Sequence, residues 1–150
     1  MAPISKDDLN ELQKKKLRLA ANILQSSARY YDGSQSTLPL WGGGVITHGV
    51  PKIRKCVIGI TKDAKLANKE DTTNDHLYRV TETAKHVLNK INEENLSLEA
   101  IENVLLERSA LMKTTRVENN KKLKEALKLC TNRDSWEELY SLAGNEYELY

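Results

Sequence analysis

Apolar residues return at every third or fourth position along most of this chain, and that spacing commits most of it to amphipathic helices. Leu17, Ala20, Ala21, Leu24, Ala28 and Tyr31 share one face of a first helix. The hydroxyl and acid of Ser5-Lys6-Asp7-Asp8 predict its start, and Asp32-Gly33 predicts its end, ahead of a surface loop at Ser34-Gln35-Ser36-Thr37. Leu77, Val80, Ala84, Val87, Leu88 and Ile91 predict a second helix over residues 74–92, capped by Thr73 or Asn74. Ser97 is placed to cap a third helix through Ile101, Val104, Leu105 and Leu111. The capping-box pattern Thr115-Arg116-Val117-Glu118 predicts a break near residues 113–115 and a restart carrying Leu123, Ala126, Leu127 and Cys130. A last short helix follows Asp134-Ser135-Trp136 and stops at Gly144.

One stretch breaks the rhythm. From Trp41 to Thr61, β-branched residues cluster in Val45-Ile46-Thr47 and in Cys56-Val57-Ile58-Gly59-Ile60-Thr61, with Gly49 and Pro51 between them, which predicts a β-hairpin. Residues 40–52 hold Gly42, Gly43, Gly44 and Gly49, four of the chain's seven glycines. Glycine loses the most conformational entropy on folding, so such a cluster marks sharp turns or a close approach to the main chain. The expected fold is therefore α+β: mostly α-helical, with one hairpin between the first and second helices. A length of 150 residues suits a single domain. Within it, residues 1–33 form a basic helix, 40–92 a hairpin–helix unit and 97–150 the C-terminal helices. Phenylalanine is absent, so Leu, Ala, Val and Ile fill most of the core, helped by Trp41, Trp136 and some tyrosines.

The formal charge of +2 conceals an asymmetry. Residues 1–65 carry 11 Lys+Arg against 5 Asp+Glu, and residues 66–150 carry 12 against 16. A basic front half attracts phosphate or another anion, or simply the acidic half of the same chain. Cys56 and Cys130 stand far apart with no Cys/His pattern around them, so neither a zinc ribbon nor a disulfide framework is indicated, and a reducing cytoplasm fits best. No apolar run reaches the ~18 residues a membrane span needs, and the N-terminal residues lack a signal peptide's apolar core. Gly42-Gly43-Gly44 has no GxxxxGK[ST] continuation, which argues against a P-loop.

The chain has three histidines, His48, His76 and His86. His48 falls at the end of the first expected strand and His76 near the start of the helix after the hairpin, giving the order strand, turn, strand, helix. With Thr47-His48-Gly49-Val50-Pro51, and with Asn68 and His76 further on, these residues resemble the HNH, or His-Me finger, endonucleases built on a ββα-metal unit. Asn74 is a second candidate for the middle position. Thr47 stands where the family carries an acidic residue. The chain from Thr115 to Leu123, with Trp136, also looks similar to segments of small phage-encoded proteins, for which the compartment is the host cytoplasm.

The resemblance implies a chemistry. His48 would act as general base on a water attacking a phosphodiester, with Asn68 orienting its ring or the hairpin backbone. Mg²⁺ or Mn²⁺ held by His76 and Asp75 would stabilise the leaving oxygen. DNA would be gripped by Lys52, Arg54 and Lys55 on the hairpin and by Lys14, Lys15, Lys16 and Arg18 on the first helix. His86 reads as surface or helix packing. The alternative is a non-enzymatic helical module that binds nucleic acid or protein, a viral regulatory or structural protein, and a homo-oligomer is compatible with either reading.

Overall fold

The computed structural model describes residues 2–34, 37–38 and 42–150. Trp41, with which the expected hairpin begins, lies outside them, as do Gln35 and Ser36 of the expected loop. In chain order the elements are α1 (Glu11–Ser27), α2 (Gly42–Gly49), β1 (Val57–Thr61), α3 (Lys62–Leu66), β2 (Thr72–His76), α4 (Val80–Glu94), α5 (Leu98–Glu107), β3 (Leu111–Thr115), α6 (Leu123–Leu129), α7 (Trp136–Ala143) and β4 (Tyr147–Leu149). The fold is α+β and mainly helical, as its spacing implies. The chain groups into two compact units, residues 1–53 with 79–109 and residues 54–78 with 110–150.

The first unit is all helical. Ser5 and Asp8 form their reciprocal cap, but it opens a single 3₁₀ turn, and α1 starts after a second box in which Asn10 and Gln13 satisfy each other's backbone N–H groups. Leu17, Ala20, Ala21 and Leu24 are buried along its inner face, as their spacing requires. A 3₁₀ turn, Ala28–Tyr30, follows, and Gly33 takes a left-handed φ of 91°. Hydroxyl bonds from Ser34 and Thr37 hold the Asp32 carboxyl down at about 2, which pins this turn. α1 packs against α2, α4 and α5. Ser97 caps α5 by accepting from the Ala100 N–H at 3.1 Å. Buried beneath α1, Glu102 receives Lys6 at 2.6 Å and Arg18 at 2.8 and 3.1 Å.

The hairpin expected between the first and second helices is not formed, because Val45-Ile46-Thr47 lies within α2. Ile46 is buried, and the Thr47 hydroxyl turns back to the Gly43 carbonyl at 2.8 Å, as a threonine inside a helix does. The second β-branched run does become a strand, β1, but its partners are remote in sequence. The second unit's sheet has the order β2-β3-β1-β4, with β1 parallel to β3 and the other pairs antiparallel. Residues 73–76, expected to cap and begin the second helix, lie in β2 instead, and Leu111, expected to end the third, begins β3.

In this unit Leu77, Met112, Leu123, Ala126, Trp136, Leu139 and Tyr140 share a buried cluster, so α6 and α7 cover the sheet face that carries Met112. Thr115 and Glu118 form the capping box their spacing predicts: the Glu118 N–H donates to Thr115 Oγ1 and the Thr115 N–H to Glu118 Oε1. A π-type turn, Glu118–Lys122, leads into α6. α7 is capped by Ser135 and stops at Gly144, whose φ is +70°. Among the described residues no helix is long and apolar enough to cross a membrane.

Candidate nucleic-acid interface on the first unit

One glycine of the stretch, Gly49, finds its reason in helix packing. A β-carbon on Gly49 would fall on the β-carbon of Ala20, so α1 and α2 meet there with backbone nearly against backbone. Gly44, in the same helix, has nothing within 4 Å of the equivalent point. That close approach leaves two adjoining depressions along the α1–α2 seam. One, of about 240 Å³, has apolar walls from Leu19, Ala20, Ile23 and Val45. The other, of about 400 Å³, is the more polar of the two, bordered by Gln13, Thr47 and Lys52 together with Val50 and Pro51. Lys16, His48 and Gly49 line both.

This seam is cationic for a reason legible in the letters. From Leu12 to Lys62 the chain carries a single carboxylate, Asp32. Lys15, Lys16, His48 and Lys52 are exposed, and none of the four is engaged by a carboxylate of the described residues. The asymmetry between the chain's halves is not inherited by the units, since residues 1–53 and 79–109 together hold 11 Lys+Arg and 10 Asp+Glu. Six of those ten acids lie on α4 and α5, and Asp32 is the one carboxylate between Leu12 and Lys62.

The other expected DNA contacts separate into groups. Arg18 is committed to Glu102, where burial opposes the carboxylate charge but the bonds from Arg18 and Lys6 outweigh it and hold the carboxyl below its ordinary range. Lys14 pairs with Glu11 at 3.4 Å. Arg54 and Lys55 are exposed in a 3₁₀ turn, Arg54–Cys56, of the second unit.

The residues expected to form a metal and base site are not gathered on one element or in one unit. His48 belongs to the first unit, and Asn68, Asp75 and His76 belong to the second. Asn68 is exposed at the start of a 3₁₀ turn, Lys69–Asp71. Asp75 and His76 are consecutive on β2, so their side chains leave opposite faces of the sheet. Asp75 turns to the α7 face, where its Oδ2 accepts the Tyr140 hydroxyl at 2.8 Å. As a two-ligand set for Mg²⁺ or Mn²⁺ this pair does not fit, and no group of three or more His, Cys, Asp or Glu among the described residues is placed to hold a metal ion. Neither Cys56 nor Cys130 is in a disulfide, and His86 is half-buried on α4.

Sequence reasoning passed over the buried polar pairs of the second unit. Burial, and then the Asp75 charge, push the Tyr140 hydroxyl above the ordinary tyrosine range. Thr61 Oγ1 donates to Glu118 Oε1 at 2.6 Å in a buried setting. The signal for Glu118 was its capping box; Tyr140 and Asp75, which lie 65 positions apart, had none. No family model, curated protein or solved structure matches the chain, so the chemistry of the seam carries the functional reading.

Proposed function

We propose that the chain is a nucleic-acid-binding module that grips the phosphate backbone of DNA along the α1–α2 seam of its first unit. The observation that supports this is the acid-free seam itself, where Lys16 and Lys52 border one open depression with His48 beside them. Lys15 adds a third exposed charge on α1. Phosphate contacts of this kind position a nucleic acid without reading its sequence, and each releases condensed counterions.

The test is fluorescence anisotropy with a labelled oligonucleotide at several salt concentrations. Binding should weaken steeply with salt, and the Lys16→Ala/Lys52→Ala double variant should flatten the log–log slope by about 2. A salt-independent interaction, or a slope the double variant leaves unchanged, overturns the reading.

Phosphodiester hydrolysis with His48 as general base is the competing proposal, favoured by the exposed imidazole inside the cationic depression. Plasmid incubated with the protein and Mg²⁺ or Mn²⁺ separates the two. Nicking that disappears in His48→Ala while binding persists supports the hydrolase; binding without nicking supports the module.

A further inference from the structure

We infer that the α1–α2 seam takes an unpaired nucleotide, its phosphate in the polar depression and its base in the apolar one. The inference rests on the binding role proposed above and names the form of nucleic acid it selects. The polar depression, bordered by Lys52, Gln13 and Thr47, offers cations and hydrogen-bonding groups to a phosphate and sugar. The apolar one, walled by Leu19, Ile23 and Val45, offers no charge beyond its Lys16 and His48 edge. A nucleotide has the same division, an anionic phosphate tied through a sugar to a flat base with apolar faces.

Three features of the seam favour this occupant over a duplex. First, a duplex keeps its base faces inside the stack, so only its phosphates could use the site and the apolar depression would stay wet. Second, Leu19 does not stand alone: with Ala20, Ile23 and Val45 it walls one continuous apolar depression, a surface that suits a base face and that a purely phosphate-binding groove does not use. Third, His48 lines both depressions, and an imidazole stacks on an exposed base face while its ring nitrogens reach a phosphate. With the single carboxylate between Leu12 and Lys62 lying at Asp32, the seam is complementary in charge to a polyanion.

The test compares a single-stranded oligonucleotide, the same sequence as a duplex, and an oligomer of equal length whose residues are abasic. Wild-type protein should bind the single strand about tenfold more tightly than the abasic oligomer, because only the first can fill the apolar depression. Val45→Met fills that depression without adding charge, and Leu19→Ser removes its exposed wall. Each should lower single-strand affinity and leave duplex affinity unchanged. Equal binding of the single strand and the abasic oligomer overturns the inference without any variant having to fold. If the duplex still binds with a salt slope that depends on Lys16 and Lys52, the general binding role survives that failure. Displacement by a mononucleotide at comparable concentration leaves the two-depression site standing but overturns the proposed DNA-binding role, because it assigns the seam to a free nucleotide. Displacement by poly-glutamate at equal charge overturns both readings, because it assigns the seam to acidic protein.

Discussion

Gly49 of α2 lies so close to Ala20 of α1 that no side-chain atom fits between them. The contact sets the separation of two helices whose seam holds both candidate depressions, so the packing contact and the candidate site share one residue. Gly49→Ala should cost about 1–3 kcal/mol through overpacking. Gly44→Ala, in the same helix with open space around it, should instead stabilise by about 0.5–1 kcal/mol, since glycine is a poor helix former. Urea unfolding of the two variants checks the pair. Equal effects would show that the helix, and not the close contact, sets the cost.

Glu102 makes the first unit sensitive to acid. Its carboxyl is nearly inaccessible and is held by Arg18 and Lys6 below the ordinary range. A carboxylate whose folded value is depressed contributes stability above its unfolded value, about 4.3, and loses that contribution as pH falls through the folded value. Glu102→Gln should therefore lower stability at neutral pH by about 1–3 kcal/mol, the half-exposed cations turning to water in response. The gap between variant and wild type should close below about pH 4. Thermal melts across that range provide the measurement.

Arg18 and Lys16 are two positions apart in α1, yet their variants should fail differently. Arg18→Ala should destabilise by breaking two bonds to Glu102 and leave the salt slope of DNA binding unchanged. Lys16→Ala should leave the melting temperature unchanged and reduce the slope by about 1. Circular dichroism and anisotropy on the same preparations distinguish them.

Tyr140 should resist ionisation. Burial and the Asp75 carboxylate raise its pKa, so in alkaline titration followed by ultraviolet absorbance this phenol should ionise only as the second unit unfolds. A raised folded value means that its contribution is whole below about pH 10, the ordinary tyrosine value, and is lost as pH rises above it. Tyr140→Phe removes the bond to Asp75 and keeps the ring contacts with Trp136 and Tyr147, and should cost about 1–2 kcal/mol at neutral pH.

The chain's letters determined what is local. The spacing of Leu17, Ala20, Ala21 and Leu24 specified the buried face of α1, and Val87, Leu88 and Ile91 did so for α4. Ser97, Ser135 and the Thr115–Glu118 pair marked helix starts, and Gly144 marked a stop, because caps join residues only a few positions apart. The β-branched run from Val57 was readable as a strand. The lysines of the seam were candidates from the start, since charge is carried by composition. Tertiary structure decided the rest. Val45-Ile46-Thr47 has strand propensity, but Ile46 is buried in a helix packed on α1, and packing outweighs a propensity of at most about 1 kcal/mol. β2 and β3 are five residues long and β4 only three; β2 is polar throughout and β4 is exposed along its length, too short for its alternation to mark it as a strand. They exist as strands because partners distant in the chain supply their hydrogen bonds. The same distance separates Asp75 from Tyr140 and Arg18 from Glu102, pairings that burial alone makes worth their loss of freedom.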